Sequence, residues 1–438
     1  MEEKAVSSSP VSRRYKPYRF YKDSGVEWLG KIPAHWGARR LKYLSRIIMG
    51  QSPPSDIVNT FGEGLPFLQG NADFGTEHPT ARTFCPYPPK VAAPEDILIS
   101  VRAPVGAINS ADREYGIGRG LCAIRPFIRQ LGRRYCSYLL QVARSQLDSI
   151  AKGSTYDAVS TDDVSCLMLS VPSIEEQHRI SHFLDRETVK INALIEKKEG
   201  LIELLQEKRR ALITQAVTKG LDPTVPMNDS GVEWLGKIPA HWEVKRIKNV
   251  ARLQTGGTPV GLLDEAFEEG GIPWIKPEQL QGDCGVAAPD RKLSHDAAKS
   301  LGIVIAGSSL VCGIGTVGKT GYSPFDVCTN QQINAITFRH EVFNRYGQFM
   351  AVCLEQEFAR RANKVTIAIC NKSQMGEAFV CIPQPEEQRS VASFLDRETA
   401  KIDMLVSRIR EAIIHLREYR VALVSAAVMG KIDVTRGA

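Results

Sequence analysis

The fourteen residues DSGVEWLGKIPAHW at 23–36 recur without a change at 229–242. A second pair follows in each half: EEQHRISHFLDRET at 175–188 and EEQRSVASFLDRET at 386–399 agree at nine positions of fourteen. The first pair is offset by 206 residues, from 23 to 229, and the second by 211, from 175 to 386. Two different anchors at nearly one period define two tandem copies of one unit. That period lies far beyond the roughly 20–50 residues of solenoid and propeller repeats, so a whole domain is duplicated.

Composition narrows the class. The 438 residues are 43% hydrophobic and 24% charged, ordinary values for globular protein. No run reaches the roughly 18 apolar residues of a membrane span, and the N-terminus lacks the apolar segment of a secretory signal. Residues 1–19 read as a flexible basic tail. Ten cysteines without a C-x-x-C spacing fit buried thiols in a reducing cytosol better than disulfides or a zinc site. The net charge of +7 leans toward a polyanionic partner.

The fold class expected is α+β, with two tandem domains of mixed short strands and helices, each followed by a long helix. Residues 20–172 form the first domain and 173–222 its helix; 223–383 hold a linker and the second domain, and 384–438 its helix and a tail. Behind each anchor, Leu41, Leu44 and Ile47, and equally Ile247, Val250 and Leu253, recur every three residues before Gly50 and Gly256. That spacing suits a short helix, with a strand as the alternative. Trp28, Trp36, Trp234 and Trp242 are most simply core residues. Short apolar runs at 97–101, 121–124, 167–171, 303–306, 309–312 and 333–338 read as strands, and 134–151 and 345–363 as helices. Between these landmarks the two copies diverge, as LPFLQGNADF at 65–74 does from IPWIKPEQL at 272–280.

After Pro172 the pattern becomes long and heptad-like. Ser173 and Glu176 have capping-box spacing, and Pro385 suits the first turn of the second helix. Leu184, Ile191, Lys198, Leu205 and Leu212 fall seven apart; so do Leu395, Ile402, Ile409, Leu416 and Leu423. Leu194, Leu201, Leu405 and Ala412 supply a second seam position. Gly220 and Pro223 end the first helix and Gly430 the second. Each helix of about 40 residues spans roughly 60 Å and must bury its seam on another helix, so an intramolecular coiled coil is expected.

Catalytic motifs are scarce. GIGTVGKT at 313–320 matches the phosphate-binding pattern G-x-x-x-x-G-K-[ST]. That loop requires a helix starting at its Lys-Thr, whereas Gly321, Tyr322, Ser323 and Pro324 follow here. A tight strand-to-strand turn with one exposed lysine is the simpler reading; a P-loop nucleotide-binding enzyme using Lys319 is the alternative. His178 and His182 have the i, i+4 spacing of a helical metal pair, but Arg389 and Ser393 replace them in the second copy. A solvated helix face explains them. No G-x-S-x-G elbow or paired-carboxylate signature appears.

Nucleic-acid features are more numerous. Basic runs lie beside both anchors: Arg39, Arg40, Lys42 and Arg46, then Lys245, Arg246, Lys248 and Arg252. The divergent loops hold Gln69, Asn71, Arg102 and Arg119 in one copy, and Lys276, Glu278, Gln279, Lys319, Asn330, Gln331 and Gln332 in the other. Arg and Lys suit guanine edges, and Asn and Gln suit adenine. Taken singly, each is an ordinary solvated residue; their concentration in the loops is the signal. A coiled-coil protein-binding scaffold is the remaining alternative.

The layout resembles the specificity subunit of a type I restriction–modification enzyme. The strings that carry the resemblance are ILISVRAPVG (97–106), IGRGLCAIRP (117–126) and GSTYDAVSTDDV (153–164), with the helix starts PSIEEQHRISHFLDRET (172–188) and PQPEEQRSVASFLDRET (383–399). The resemblance implies two target-recognition domains held by antiparallel helices with pseudo-twofold symmetry, reading a bipartite, asymmetric duplex target. It implies no catalysis and no cofactor in this chain. Two DNA adenine methyltransferase subunits would bring S-adenosylmethionine, and two restriction subunits ATP and magnesium. It also marks Ser154, Thr155 and Tyr156 as DNA-contact candidates. The second copy has KVTIA at 364–368 in their place, leaving Lys364, and Lys372 beyond it, as its candidates.

Overall fold

The computed structural model describes residues 11, 14–152, 158–259, 266–364 and 366–435. The chain divides into two compact units, residues 1–198 with 411–438 and residues 199–410, and the division falls inside both long helices.

Unit 1 is built on two four-stranded sheets. The first, wholly antiparallel, orders Ser45–Met49, Leu121–Pro126, Ile97–Ser100 and Ile108–Ser110. In the second, Tyr115–Ile117 runs parallel to Leu65–Leu68 and antiparallel to Val91–Ala92. Leu68, Leu98, Tyr115, Ile117 and Leu121 form a core between them. Unit 2 repeats the scheme: Ala251–Thr255, Ile333–Phe338, Ser309–Cys312 and Thr320–Tyr322 form the antiparallel sheet, and Trp274–Ile275 runs parallel to Cys328–Thr329. The fold is α+β, and the duplication extends to strand order and direction.

Several local expectations need correction. The three-residue spacing behind each anchor mixes both candidates: a helical turn (Leu41–Tyr43, Ile247–Val250) runs into a strand (Ser45–Met49, Ala251–Thr255). Residues 303–306 are no strand; only Val304 bridges, to Val327. The second medium helix is two, Asn344–Cys353 and Glu355–Arg361, broken at Leu354. There Gly318 packs so closely that a Cβ on it would lie 2.5 Å from the Glu355 carbonyl oxygen. Nor are residues 14–19 a free tail: Tyr15 packs edge-on against Phe183 at 5.2 Å, and Tyr18 is buried.

The long helices are Ile174–Lys219 and Pro385–Val428, of 46 and 44 residues. Leu184, Ile191, Leu395, Ile402 and Leu423 are buried along the seam. The second seam position falls one residue later than expected. Ile195, Val406 and Ile413 are buried, whereas Leu194, Leu201 and Leu405 are 44%, 45% and 47% exposed. A turn of 3.6 residues admits a step of three or four, and apolar residues occupy both choices, so periodicity could not separate them. Within unit 1 Arg420 donates to the Asn192 side chain at 2.7 Å, and within unit 2 Arg209 meets Asp403 at 3.1 Å. In each unit the start of one long helix lies with the end of the other, an antiparallel arrangement.

The repeated anchors join these helix ends. In unit 1, Glu176 is 4% exposed and accepts from the Tyr18 hydroxyl at 2.7 Å, while its other oxygen meets His35 at 3.0 Å. The expected capping box is therefore half formed: Ser173 accepts from the Glu176 amide, but the Glu176 carboxylate turns to the anchor. Lys431, just past the second helix, donates to the Lys31 carbonyl at 2.8 Å. Unit 2 repeats the set with His241 and Glu387 at 2.9 Å and Lys219 on the Leu235 carbonyl at 3.0 Å. The tyrosine hydroxyls close the joint. Tyr135 donates to the Ser170 and Val428 carbonyls, and Tyr346 to those of Cys381 and Val217. Gln177 and Gln388 also match, each amide donating to two carbonyls and accepting one backbone N–H. An unchanged fourteen-residue string follows from this: each copy meets the start of one long helix and the end of the other.

The ten cysteines are free, seven of them buried. No helix among the described residues is long and apolar enough to cross a membrane.

Candidate nucleic-acid interface

In each unit five strand ends converge on one rim. In unit 1 the Gly50 amide donates to Leu121, Gln51 to Ile117, Gly118 to Leu68, Leu121 to Gly118 and Val101 to Gly120, all at 2.8–3.0 Å. In unit 2 the same five bonds run from Gly256 to Ile333, Gly257 to Thr329, Asn330 to Ile275, Ile333 to Asn330 and Gly313 to Gln332, at 2.7–3.1 Å. The backbones of the two rims therefore correspond residue by residue. A sixth bond extends the match: the Val159 amide donates to Val101, and Cys370 to Gly313. Each rim is then closed by a short helix capped by Ser160 or Asn371.

This correspondence sorts the residues singled out above. Gln69 and Lys276 share one position, Arg119 and Gln331 a second, and Arg102 and Ile314 a third, the last pair bridging Ala158 and Ile369. Gln69, Arg102, Arg119 and Gln331 are exposed and Lys276 half-buried. Asn71 is half-buried in the turn after Gln69, Glu278 is exposed in the turn after Lys276, and Lys372 opens the short helix behind the unit 2 rim. Ser154, Thr155 and Tyr156, and the Lys364 side chain, lie outside the described residues.

Two residues of this set serve the fold. Gln279 is 4% exposed; its carbonyl accepts the Lys276 amide at 2.8 Å and its amide donates to Asp290 at 3.0 Å. Asn330 is 7% exposed and locks onto Gln332, side chain to side chain at 2.9 Å and side chain to backbone at 3.1 Å. Buried polar groups bonded within the protein are not available to a base edge. Conversely, Gln51 and Thr258 stand on the rims beside these residues and were not expected. Their only signal is a place just after the closing glycines.

Arg39, Arg40, Lys245 and Arg246 of the basic runs stand apart, on strands paired with those that lead into the long helices; Lys42 and Lys248 lie in the helical turns, and Arg46 and Arg252 on strands of the antiparallel sheets. The runs differ between the copies. Arg39, Arg40, Lys42 and Arg46 are exposed and form no ion pair among the described residues. Lys245 meets Glu243 at 2.7 Å, Arg246 meets Glu377 at 2.6 Å, and Lys248 pairs with the same carboxylate. The bond from Lys248, with Arg246 beside it, holds the Glu377 carboxyl below its usual range, and Glu243 holds the Lys245 ammonium above its own. Three of the four cations of the second run are thus paired in place, and Arg252 is exposed.

GIGTVGKT forms a hairpin between Ser309–Cys312 and Thr320–Tyr322. The helix that a phosphate loop needs at its Lys-Thr is a strand, so its amides cannot aim at a phosphate. Lys319 is not the exposed lysine expected. It is half-buried and donates to the Pro277 carbonyl at 2.7 Å, tying the hairpin to the rim. Lys319→Ala is expected to cost about 0.5–1.5 kcal/mol of stability, read by urea denaturation, and calorimetry of the parent chain with Mg-ATP should register no binding. His178 and His182 are exposed on the first long helix, and no group of three metal-ligating side chains occurs among the described residues.

A family model described as the type I restriction modification DNA specificity domain matches residues 33–204 and again 239–413. A putative type I restriction enzyme MjaX specificity subunit from Methanocaldococcus jannaschii is 36% identical over 193 residues, 43% of this chain and 44% of that protein. The match thus spans less than half the length of that relative. The MjaIX specificity subunit of the same organism is 24% identical over 305 residues, 64% of this chain and 68% of its own length. A chain solved in a study of complex assembly and conformational transition of the type I R-M system superposes with a TM-score of 0.66 at 19% identity, covering 92% of this chain and 99% of that one. The HsdS subunit from Thermoanaerobacter tengcongensis gives 0.52 at 17%, covering 92% and 98%. At these identities the two structures speak to fold.

Proposed function

Because the chain belongs to the type I restriction–modification DNA specificity family, we propose that it reads a bipartite, asymmetric duplex target and assembles the subunits that act on it. The observation that carries this reading is the pair of matched rims: one backbone framework, displayed twice, with different side chains at equivalent positions. Identical scaffolding suits identical partners, and unlike rims suit two half-sites of different sequence. Base-edge contacts at the rims specify, while the exposed basic run of unit 1 holds phosphates and adds affinity without sequence preference.

The family is one of non-catalytic specificity subunits, and methylation and cleavage are assigned to partners. These are two adenine methyltransferase subunits with S-adenosylmethionine and two restriction subunits with ATP and magnesium. Exposed apolar side chains on the long helices support protein docking: Val189 at 66% and Val421 at 64% in unit 1, and Leu204 at 63% and Met404 at 56% in unit 2.

With its methyltransferase partners the chain is expected to bind its target duplex about a thousandfold or more above random sequence at physiological salt. Equal affinity for both would contradict the proposal. Replacing Arg39, Arg40 and Lys42 by Gln should weaken target and random duplex alike. The slope of log affinity against log salt should fall by up to about three, one for each phosphate no longer neutralised. The corresponding Lys245 and Arg246 replacements should change it less, since those charges are already paired.

A further inference from the structure

We propose that Arg119 and Gln331 are one reading position in two copies: Arg119 contacts a guanine in one half-site, and Gln331 an adenine in the other. This rests on the DNA-reading function proposed above and names residues and bases for it.

The geometry isolates these two side chains. Arg119 sits between Gly118 and Gly120 at the tip of the turn entering Leu121–Pro126. A Cβ on Gly120 would lie 2.5 Å from the Gln69 carbonyl oxygen, and one on Gly118 3.2 Å from the Phe67 ring. The backbone is packed so closely that only the middle residue of the three extends a side chain. Arg119 is exposed and has no ion-pair partner among the described residues.

Unit 2 reaches the same result by other means. Asn330 and Gln332, which replace the two glycines, are bonded to each other: the Asn330 amide donates to the Gln332 side-chain oxygen, and the Gln332 backbone N–H to the Asn330 side-chain oxygen. Gln331 between them is exposed, and the Thr258 hydroxyl donates to its side-chain oxygen. Both tips thus present one polar side chain at one backbone position.

The chemistry of the two tips differs in kind. A guanidinium offers only donors, which match the O6 and N7 acceptors of guanine in the major groove. A carboxamide offers one acceptor and one donor, which match the N6 amino group and N7 of adenine. The amide oxygen has a second lone pair, so the Thr258 bond orients the group without consuming its capacity to accept. Thr258 is a positioning residue.

The test uses the chain assembled with its methyltransferase subunits and a panel of duplexes carrying every single-base change in each half-site. The parent should show a loss of about ten- to a hundredfold at one G·C pair in one half-site and at one A·T pair in the other. Arg119→Ala should erase the first penalty and keep the rest; Gln331→Ala should erase the second and keep the rest. Arg119→Gln, which preserves a polar tip, should transfer the preference from G·C to A·T at that position. Uniform weakening across the panel, retention of every penalty, loss at a pair of the other kind, or action of both variants on one half-site would each overturn the assignment. A parent complex indifferent to every base change would instead overturn the DNA-reading function itself.

Discussion

Adding one heptad to both long helices, after Lys198 and after Arg410, is expected to widen the gap between the half-sites by about two to three base pairs while leaving both half-site sequences unchanged. The two positions are where the chain divides into its compact units, so neither recognition domain is touched. Seven residues add about 10 Å of helix at 1.5 Å each, against 3.4 Å per base pair of duplex. A whole heptad preserves the seam because the buried positions repeat every seven residues, as Leu184 to Ile191 and Leu395 to Ile402 do. Four residues added to one helix alone would instead set its seam out of register with its partner and reduce stability. The readout is the methylated motif of cells carrying each variant. An unchanged gap in the paired-heptad variant would remove the spacer role from the helices.

Trp36→Ala is expected to destabilise unit 1 by about 3–5 kcal/mol, among the largest effects of any single truncation. The indole is fully buried in the anchor. Its ring lies edge-on to Tyr18 at 5.8 Å and against the turn that ends the second long helix, where a Cβ on Gly430 would come within 3.1 Å of it. Truncation leaves a cavity where three segments meet, and a joint of this kind has little freedom to collapse. Trp36→Phe should cost much less, because the Trp36 indole N–H has no hydrogen-bond partner among the described residues. Trp242→Phe should cost more than Trp36→Phe, since the Trp242 N–H donates to Glu387 at 3.0 Å. Guanidinium denaturation of the parent and the three variants reads this order. A Trp36→Ala chain as stable as the parent would show that the anchor does not hold the fold together.

How legible this was from the sequence depended on the kind of information each feature holds. The duplication, the long helices and most strands were open to reading because repetition and periodicity are properties of the string. The split of 345–363 at Leu354 was not, since it arises where Gly318 packs on Glu355 from a distant hairpin. The second seam position was ambiguous in principle, because apolar neighbours such as Leu201 and Ile202 satisfy the period equally. At the rims, the sequence marked polar residues in divergent loops but not the backbone framework they share or their roles within it. Asn330, Gln331 and Gln332 are indistinguishable as polar letters; only the hydrogen bonds reveal that Asn330 and Gln332 tie to each other while Gln331 turns to Thr258. The roles of His35 and Glu176 were hidden for another reason. They lie 141 residues apart, and an unchanged anchor reads the same whether it serves binding or structure.

The most direct test is sequencing of methylated adenines in a strain with and without this chain, and with residues 61–152 replaced by those of a relative. The expected result is a set of methylated sites that appears only with the chain and consists of two short sequences separated by a fixed gap. The replacement should change one of the two sequences and leave the other and the gap intact. Methylation that persists without the chain, a single uninterrupted motif, or a replacement that alters both half-sites would contradict the division of reading between two matched but unlike rims.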